Sequence, residues 1–216
     1  MKCAITTARQ SFDKHGQMIL QFEEAYTEYL TKFGYQLYVL PAKSDLAAIS
    51  MIQPHLVLLP GGGDIPAHYY DSTVEVASQT DRDVMEMHLI EYAISNKIPL
   101  LGICRGMQMI NGFLAGKITR DTFDKHPVGV NHVIRDIQSG REYEVNSYHR
   151  DIIQPCSLAK ALTAIAVDSK NRHIEAFIGV EHHMLGLQWH PERSVEIDTG
   201  KDISRELLTN FFAKGE

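Results

Sequence analysis

Cysteine is scarce in this chain. Its three residues, Cys3, Cys104 and Cys156, are too far apart for a Cys-x-x-Cys metal pair and too few for a disulfide framework. Positive charge is short as well: 21 Lys and Arg against 27 Asp and Glu leave a formal net charge of -6. No basic run stands out, which argues against nucleic acid as a partner. Long apolar runs are missing, since no stretch approaches the roughly 20 apolar residues of a membrane span. The opening MKCAITTARQ carries no signal-type apolar core. The expected setting is cytoplasmic, with no membrane and no nucleic acid as partner. Internal repeats, low-complexity tracts and a Pro/Gly/Ser linker are also lacking. The 216 residues, 44% of them hydrophobic, are therefore expected to form one domain over residues 1–216.

Short apolar strands alternate with helical stretches through the first half. Residues 2–6, 35–41, 55–59 and 99–103 read as strands, and residues 18–33, 81–95 and 106–114 as helices. Over 18–33 the apolar side is Ile19, Phe22, Ala25, Tyr26, Tyr29 and Leu30. Alternation of this kind predicts an α/β fold of three layers, a mostly parallel central sheet with helices on both faces. The second half holds shorter β-type runs, "GVNHVI", "REYEVNSY", "HIEAFI" and "HMLGLQWH", before a last helix over about 202–214. These predict added antiparallel strands.

The chemistry concentrates at "PLLGICRGMQ", residues 99–108. An apolar strand runs through Gly102 and Cys104 into a helical stretch, and the flanking glycines Gly102 and Gly106 remove side chains that clash in a sharp reversal. A thiol at a helix N-terminus meets partial positive charge and free amides, which favour thiolate and stabilise a nearby oxyanion. Cys3 and Cys156 have no such turn around them and read as structural. The strand over 55–59 runs into "PGGGD", whose glycines Gly61, Gly62 and Gly63 let backbone amides approach a ligand. The Arg105 amide, next after the cysteine, is the natural second donor of an oxyanion hole. A base is available in "GLQWHPE": the His-Pro-Glu turn holds His190 rigidly and lets the Glu192 carboxylate reach back to its ring. The adjacent His182 and His183, and the His126/His132 pair, lack the spacing of a zinc site, so no metal is expected.

The order cysteine, histidine, glutamate, with Gly-Ile-Cys-Arg-Gly upstream, resembles the class I glutamine amidotransferase superfamily, and within it the γ-glutamyl hydrolases of the peptidase C26 type. Five blocks carry the likeness in order over nearly the whole chain: "LLPGGGDIPAHYY", "DRDVMEMHLIEYA", "PLLGICRGMQMIN", "VNSYH" and "GLQWHPE". The resemblance implies a flavodoxin-like fold and a cofactor-free hydrolase that cleaves the γ-glutamyl amide of a small molecule. Carried over by position, Cys104 is the nucleophile, His190 the general base and acid, and Glu192 the orienting carboxylate. Gly62 and Arg105 form the oxyanion hole, with Gly61 or Gly63 as substitutes for Gly62. Gln108, Asn146, Ser147, Tyr148 and His149 fall near the substrate. The leaving group implied is an amine or a nucleotide phosphoramidate such as that of γ-glutamyl-CDP-amidate. Two other readings are a glutaminase subunit passing ammonia to a synthase partner and a non-catalytic binding module. Oligomeric state is not legible in the sequence, and a homodimer is compatible with it.

Overall fold

The strand "LVLL" over Leu56–Leu59 is apolar at every position, and in the computed structural model all four side chains are buried. Leu56 and Leu58 join one hydrophobic cluster, whereas Val57 and Leu59 join another. A strand covered on both faces needs no polar alternation, which is the mark of a parallel strand between helical layers. The structure describes residues 1–44, 46–77, 79–120, 128–193 and 203–213.

The first half runs β1 (Lys2–Thr7), β2 (Arg9–Phe12), β3 (Met18–Gln21), α1 (Ala25–Thr31), β4 (Tyr35–Leu40), α2 (Leu46–Ile52), β5 (Leu56–Leu59), α3 (Thr80–Asn96), β6 (Leu100–Ile103) and α4 (Arg105–Phe113). The second half adds β7 (Thr119–Arg120), β8 (His132–Asp136), β9 (Glu142–Val145), β10 (Asp151–Ile152), β11 (Leu162–Asp168), β12 (Ile174–Gly179), β13 (Met184–Leu187) and α5 (Ile203–Ala213). Nine strands form one sheet in the order β4-β1-β5-β6-β13-β12-β11-β8-β9. The pairs from β4 to β13 are parallel and those from β13 to β9 antiparallel, as the change of texture between the two halves predicts. Helices α2, α3 and α4 contribute to the cluster on one face, and α1 and α5 to the cluster on the other. Among the described residues no helix is long and apolar enough to cross a membrane.

The helix expected over 18–33 is corrected. Met18–Gln21 is a strand paired with Arg9–Phe12, and the helix starts only at Ala25. The cause lies in the preceding turn: Asp13 accepts the amides of His15 and Gln17, and Gly16 takes φ 75°, which closes a hairpin. Tyr26 and Leu30 reach the core as the periodicity predicts, but Ile19 is 37% exposed and stands on the hairpin instead. Helix α2 and strand β11 went unread in the sequence. The last helix is described over Ile203–Ala213, and residues 202 and 214 lie outside the described residues.

Register places the functional end of the sheet. Leu59 of β5 pairs with Gly102 of β6, and Ile103 of β6 pairs with Leu187 of β13. Three adjacent parallel strands thus end together and deliver Pro60–Gly63, Cys104 and Gln188–His190 to one edge, where chemistry collects in open α/β sheets.

Candidate active site

Cys104 occupies the single residue between β6 and α4, with φ 52° and ψ -106°. A non-glycine residue held there costs on the order of 1–3 kcal/mol and persists only when its surroundings enforce it. Two contacts do so. The Cys104 amide donates to the Leu187 carbonyl at 2.7 Å, and the glycines on either side let the turn close. A Cβ on Gly106 would stand 1.9 Å from the Leu59 carbonyl oxygen, and one on Gly102 would stand 2.7 Å from the Gly106 backbone. The glycines are therefore required for close approach of β5, β6 and α4. Arg105 begins α4, so its amide has no acceptor within the helix and faces the same end as the thiol.

His190 is held from four sides. Its amide donates to Asn146 Oδ1 at 2.8 Å, and Asn146 Nδ2 donates back to the His190 carbonyl at 2.7 Å. Its imidazole lies against Gly61, where a Cβ would come within 2.7 Å of Cε1. The Tyr148 ring meets it edge-on, with centroids 5.5 Å apart and planes at 90°. Nδ1 donates to Glu192 Oε1 at 2.6 Å, which fixes the tautomer and leaves Nε2 for the Cys104 sulfur. Burial alone lowers the basicity of this imidazole. The Cys104 sulfur, as a charge and as a hydrogen-bond partner, and then Glu192 outweigh it and push His190 up to about 10. The extra stability from that proton is fully present below the ordinary value of 6.5 and is lost as pH rises through about 10. With the sulfur replaced in Cys104→Ser, His190 is expected to titrate at a lower pH, followed by the NMR shift of its Cε1 proton. An unchanged titration would separate the ring from the sulfur.

The glycine loop after β5 is shaped by Arg82 of α3. Its guanidinium donates to the carbonyls of Pro60 at 2.9 Å, Gly61 at 3.1 Å and Gly62 at 2.7 Å. Gly62 and Gly63 adopt φ 89° and 82°, conformations that favour glycine. The Gly61 amide donates to the Tyr26 hydroxyl at 2.9 Å and is therefore already engaged. The Gly62 amide has no acceptor among the described residues.

Beneath the loop lies a buried charge network that the sequence reading missed. Arg105 bonds to Glu86 and Asp83 and donates to the Asp64 carbonyl at 2.9 Å. Arg82 Nε reaches Glu86 Oε1 at 2.8 Å, and the Thr7 hydroxyl donates to the same oxygen at 2.7 Å. Burial pushes the Glu86 carboxyl up, but Arg105, Arg82 and Thr7 together hold it below its ordinary value. Arg82 falls to about 10, from burial and then from Arg105. The available signal was in "DRDVMEMH": Arg82 and Glu86 are one helical turn apart on the face that also buries Met85 and Leu89.

The remaining expected site residues lie on α4 and in the loop after β9. Gln108 Nε2 donates to the Asp151 carbonyl at 3.1 Å and to Gln188 Oε1 at 3.2 Å. Ser147 is buried, and its hydroxyl has no partner among the described residues. Tyr148 is 42% exposed, with the Arg193 guanidinium 4.5 Å above its ring and Glu23 pairing with that arginine. Asn146 is engaged at both ends of its amide by the His190 backbone, and His149 is buried with Nδ1 at 3.2 Å from the Asp151 carbonyl. His126 lies outside the described residues.

A strained cysteine on a strand-to-helix turn, a histidine oriented by a glutamate two residues on, and a glycine loop in register beside them suit acyl transfer through a thiol. The Peptidase C26 family profile matches residues 2–192. The chain belongs to the Peptidase C26 family. Membership suggests a hydrolase acting on amides. Among relatives, a glutamine amidotransferase-like protein of Lactococcus lactis is 26% identical over 208 residues, covering 87% of each chain. The γ-glutamyl-CDP-amidate hydrolase of Campylobacter jejuni is 33% identical over 139 residues, covering 63% of this chain and 62% of its own. A glutamine amidotransferase structure from Thermotoga maritima superposes with a TM-score of 0.61 at 17% identity, covering 99% of this chain and 91% of that one. At that identity the superposition speaks for the fold, the three-layer α/β architecture of Peptidase C26 and its glutamine amidotransferase neighbours.

Proposed function

We propose that this chain is a cysteine hydrolase that cleaves the γ-glutamyl amide bond of a small γ-glutamyl compound and releases glutamate. The observation that carries the reading is the arrangement of His190, hydrogen-bonded through Nδ1 to Glu192 at 2.6 Å while its other edge meets the strained Cys104. His190 Nε2 holds the Cys104 proton, and the thiolate Sγ attacks the γ-carbonyl. The amides of Gly62 and Arg105 receive the oxyanion at the N-terminus of α4. Imidazolium His190 then protonates the departing nitrogen, the C–N bond breaks, and a γ-glutamyl thioester remains on Cys104. Water deprotonated by the same imidazole attacks the thioester carbonyl, glutamate leaves, and the thiolate and protonated His190 are restored.

In this reading Asn146 is a positioning residue for His190, and Gln108 and Ser147 supply polar contacts to the glutamyl group. Tyr148 and Arg193 border the leaving-group side. A nucleotide phosphoramidate is supported as leaving group by the 33% identity to a γ-glutamyl-CDP-amidate hydrolase.

The test is glutamate release by the protein alone from glutamine, γ-glutamyl-aminobutyrate, γ-glutamyl-putrescine and a γ-glutamyl nucleotide phosphoramidate. Turnover of one of the bulky amides well above glutamine is expected. Release from glutamine only, or none until a synthase is added, would overturn the stand-alone hydrolase in favour of an ammonia-supplying glutaminase.

A further inference from the structure

Three donors from distant stretches meet: His132 on β8, His149 in the loop after β9, and Glu175 on β12. Their ligand atoms all lie within 4.8 Å of one another. His132 Nε2 is 3.3 Å from Glu175 Oε2, and His149 Nε2 is 3.9 Å from Glu175 Oε1. Glu175 is fully buried, and neither of its carboxylate oxygens receives a well-aligned hydrogen bond among the described residues. No Lys or Arg among the described residues lies within ion-pair distance of it. A carboxylate in that setting needs a cation. The cation is either a proton on one of the two imidazoles or a metal ion shared by all three groups.

The outer contacts favour the metal. The Asp151 carbonyl can only accept, so His149 Nδ1 keeps its hydrogen, and in the neutral ring Nε2 presents a lone pair toward Glu175. A backbone carbonyl on the second ring nitrogen is the usual outer partner of a metal-bound histidine. Ligands about 2.1 Å from a tetrahedral ion stand about 3.4 Å apart; His132 Nε2 already stands at 3.3 Å from Glu175 Oε2, and His149 Nε2, at 3.9 Å from Oε1, would close in by about half an ångström. Two imidazoles and one carboxylate are a zinc donor set that leaves a fourth position for water, and the His132 side chain, 14% exposed, connects the cluster to solvent. We propose that His132, His149 and Glu175 bind a zinc ion, which ties the antiparallel half of the sheet to the loop carrying Asn146, Ser147 and Tyr148. This site is separate from the Cys104–His190 pair and does not depend on the hydrolase reading.

Because a thiol beside an imidazole also attracts zinc, the experiment uses the Cys104→Ala protein, stripped with a chelator and titrated with zinc chloride alone. One equivalent is expected to bind and remain through gel filtration, by elemental analysis. Cobalt in its place should give bands without thiolate charge transfer, since the donors are nitrogen and oxygen. Adding Glu175→Gln, or His132→Gln, should weaken binding by at least about 10-fold. His132 is partly exposed, so its variant keeps the test valid if the Glu175 variant fails to fold. Equal zinc content in the Cys104→Ala protein and in its His132→Gln derivative would overturn the proposal and leave an imidazolium as the partner of Glu175.

Discussion

Cys104→Ala is expected to bring glutamate release to background, a loss of roughly 10⁴-fold or more, with the fold retained and only the stability that the sulfur lends to protonated His190 given up. No other thiol can take over, because Cys3 and Cys156 stand away from the β5, β6 and β13 strand ends. The turn that positions residue 104 is built from the Leu187 carbonyl and the two flanking glycines, none of which involves the sulfur. Glu192→Gln should cost far less. Its carboxylate orients His190 and raises its basicity, and an amide oxygen at the same place still accepts from Nδ1. Steady-state kinetics of the two variants side by side checks the division of labour. If Glu192→Gln were as inactive as Cys104→Ala, the carboxylate would have to do more than orient.

Glu86→Gln carries the largest expected effect on stability. The carboxylate is fully buried and answers two guanidiniums, Arg82 and Arg105, whose other contacts are to Asp83, to the Gln79 side-chain oxygen and to backbone carbonyls. Removing one member of a buried ionic cluster leaves its partners uncompensated, at about 3–5 kcal/mol. Those arginines also hold the glycine loop and the first residue of α4, so activity should fall together with stability. Denaturant unfolding gives the first quantity and turnover of the folded fraction the second. A variant as stable as the parent would show that the cluster contributes no net stability.

The parts of the site that were legible in the sequence are those built by near neighbours. Gly102, Cys104 and Gly106 make their turn within five residues, and His190 and Glu192 meet across one proline. The parallel half of the fold was legible for a similar reason, since a run such as "LVLL" with apolar residues throughout suits a strand covered on both faces. The hairpin at Arg9–Gln21 was misread because Ile19, Phe22, Tyr26 and Leu30 share a helical spacing. The Asp13 turn outweighs that spacing locally. Asn146 was expected near the substrate, whereas its clasp on the His190 backbone joins residues 44 apart in the chain. The Arg82–Glu86–Arg105 network and the His132–His149–Glu175 cluster are products of topology. Each draws on separate elements that only the folded sheet brings together.

Whether Cys104 attacks a γ-glutamyl carbonyl is tested most directly by intact-protein mass spectrometry after reaction with a glutamine-like electrophile, followed by peptide mapping. Rapid, stoichiometric addition of one glutamyl-derived group is expected on the peptide carrying Cys104, slowed in His190→Ala. Slow addition with ordinary thiol reactivity, or label on Cys3 or Cys156 instead, would contradict it.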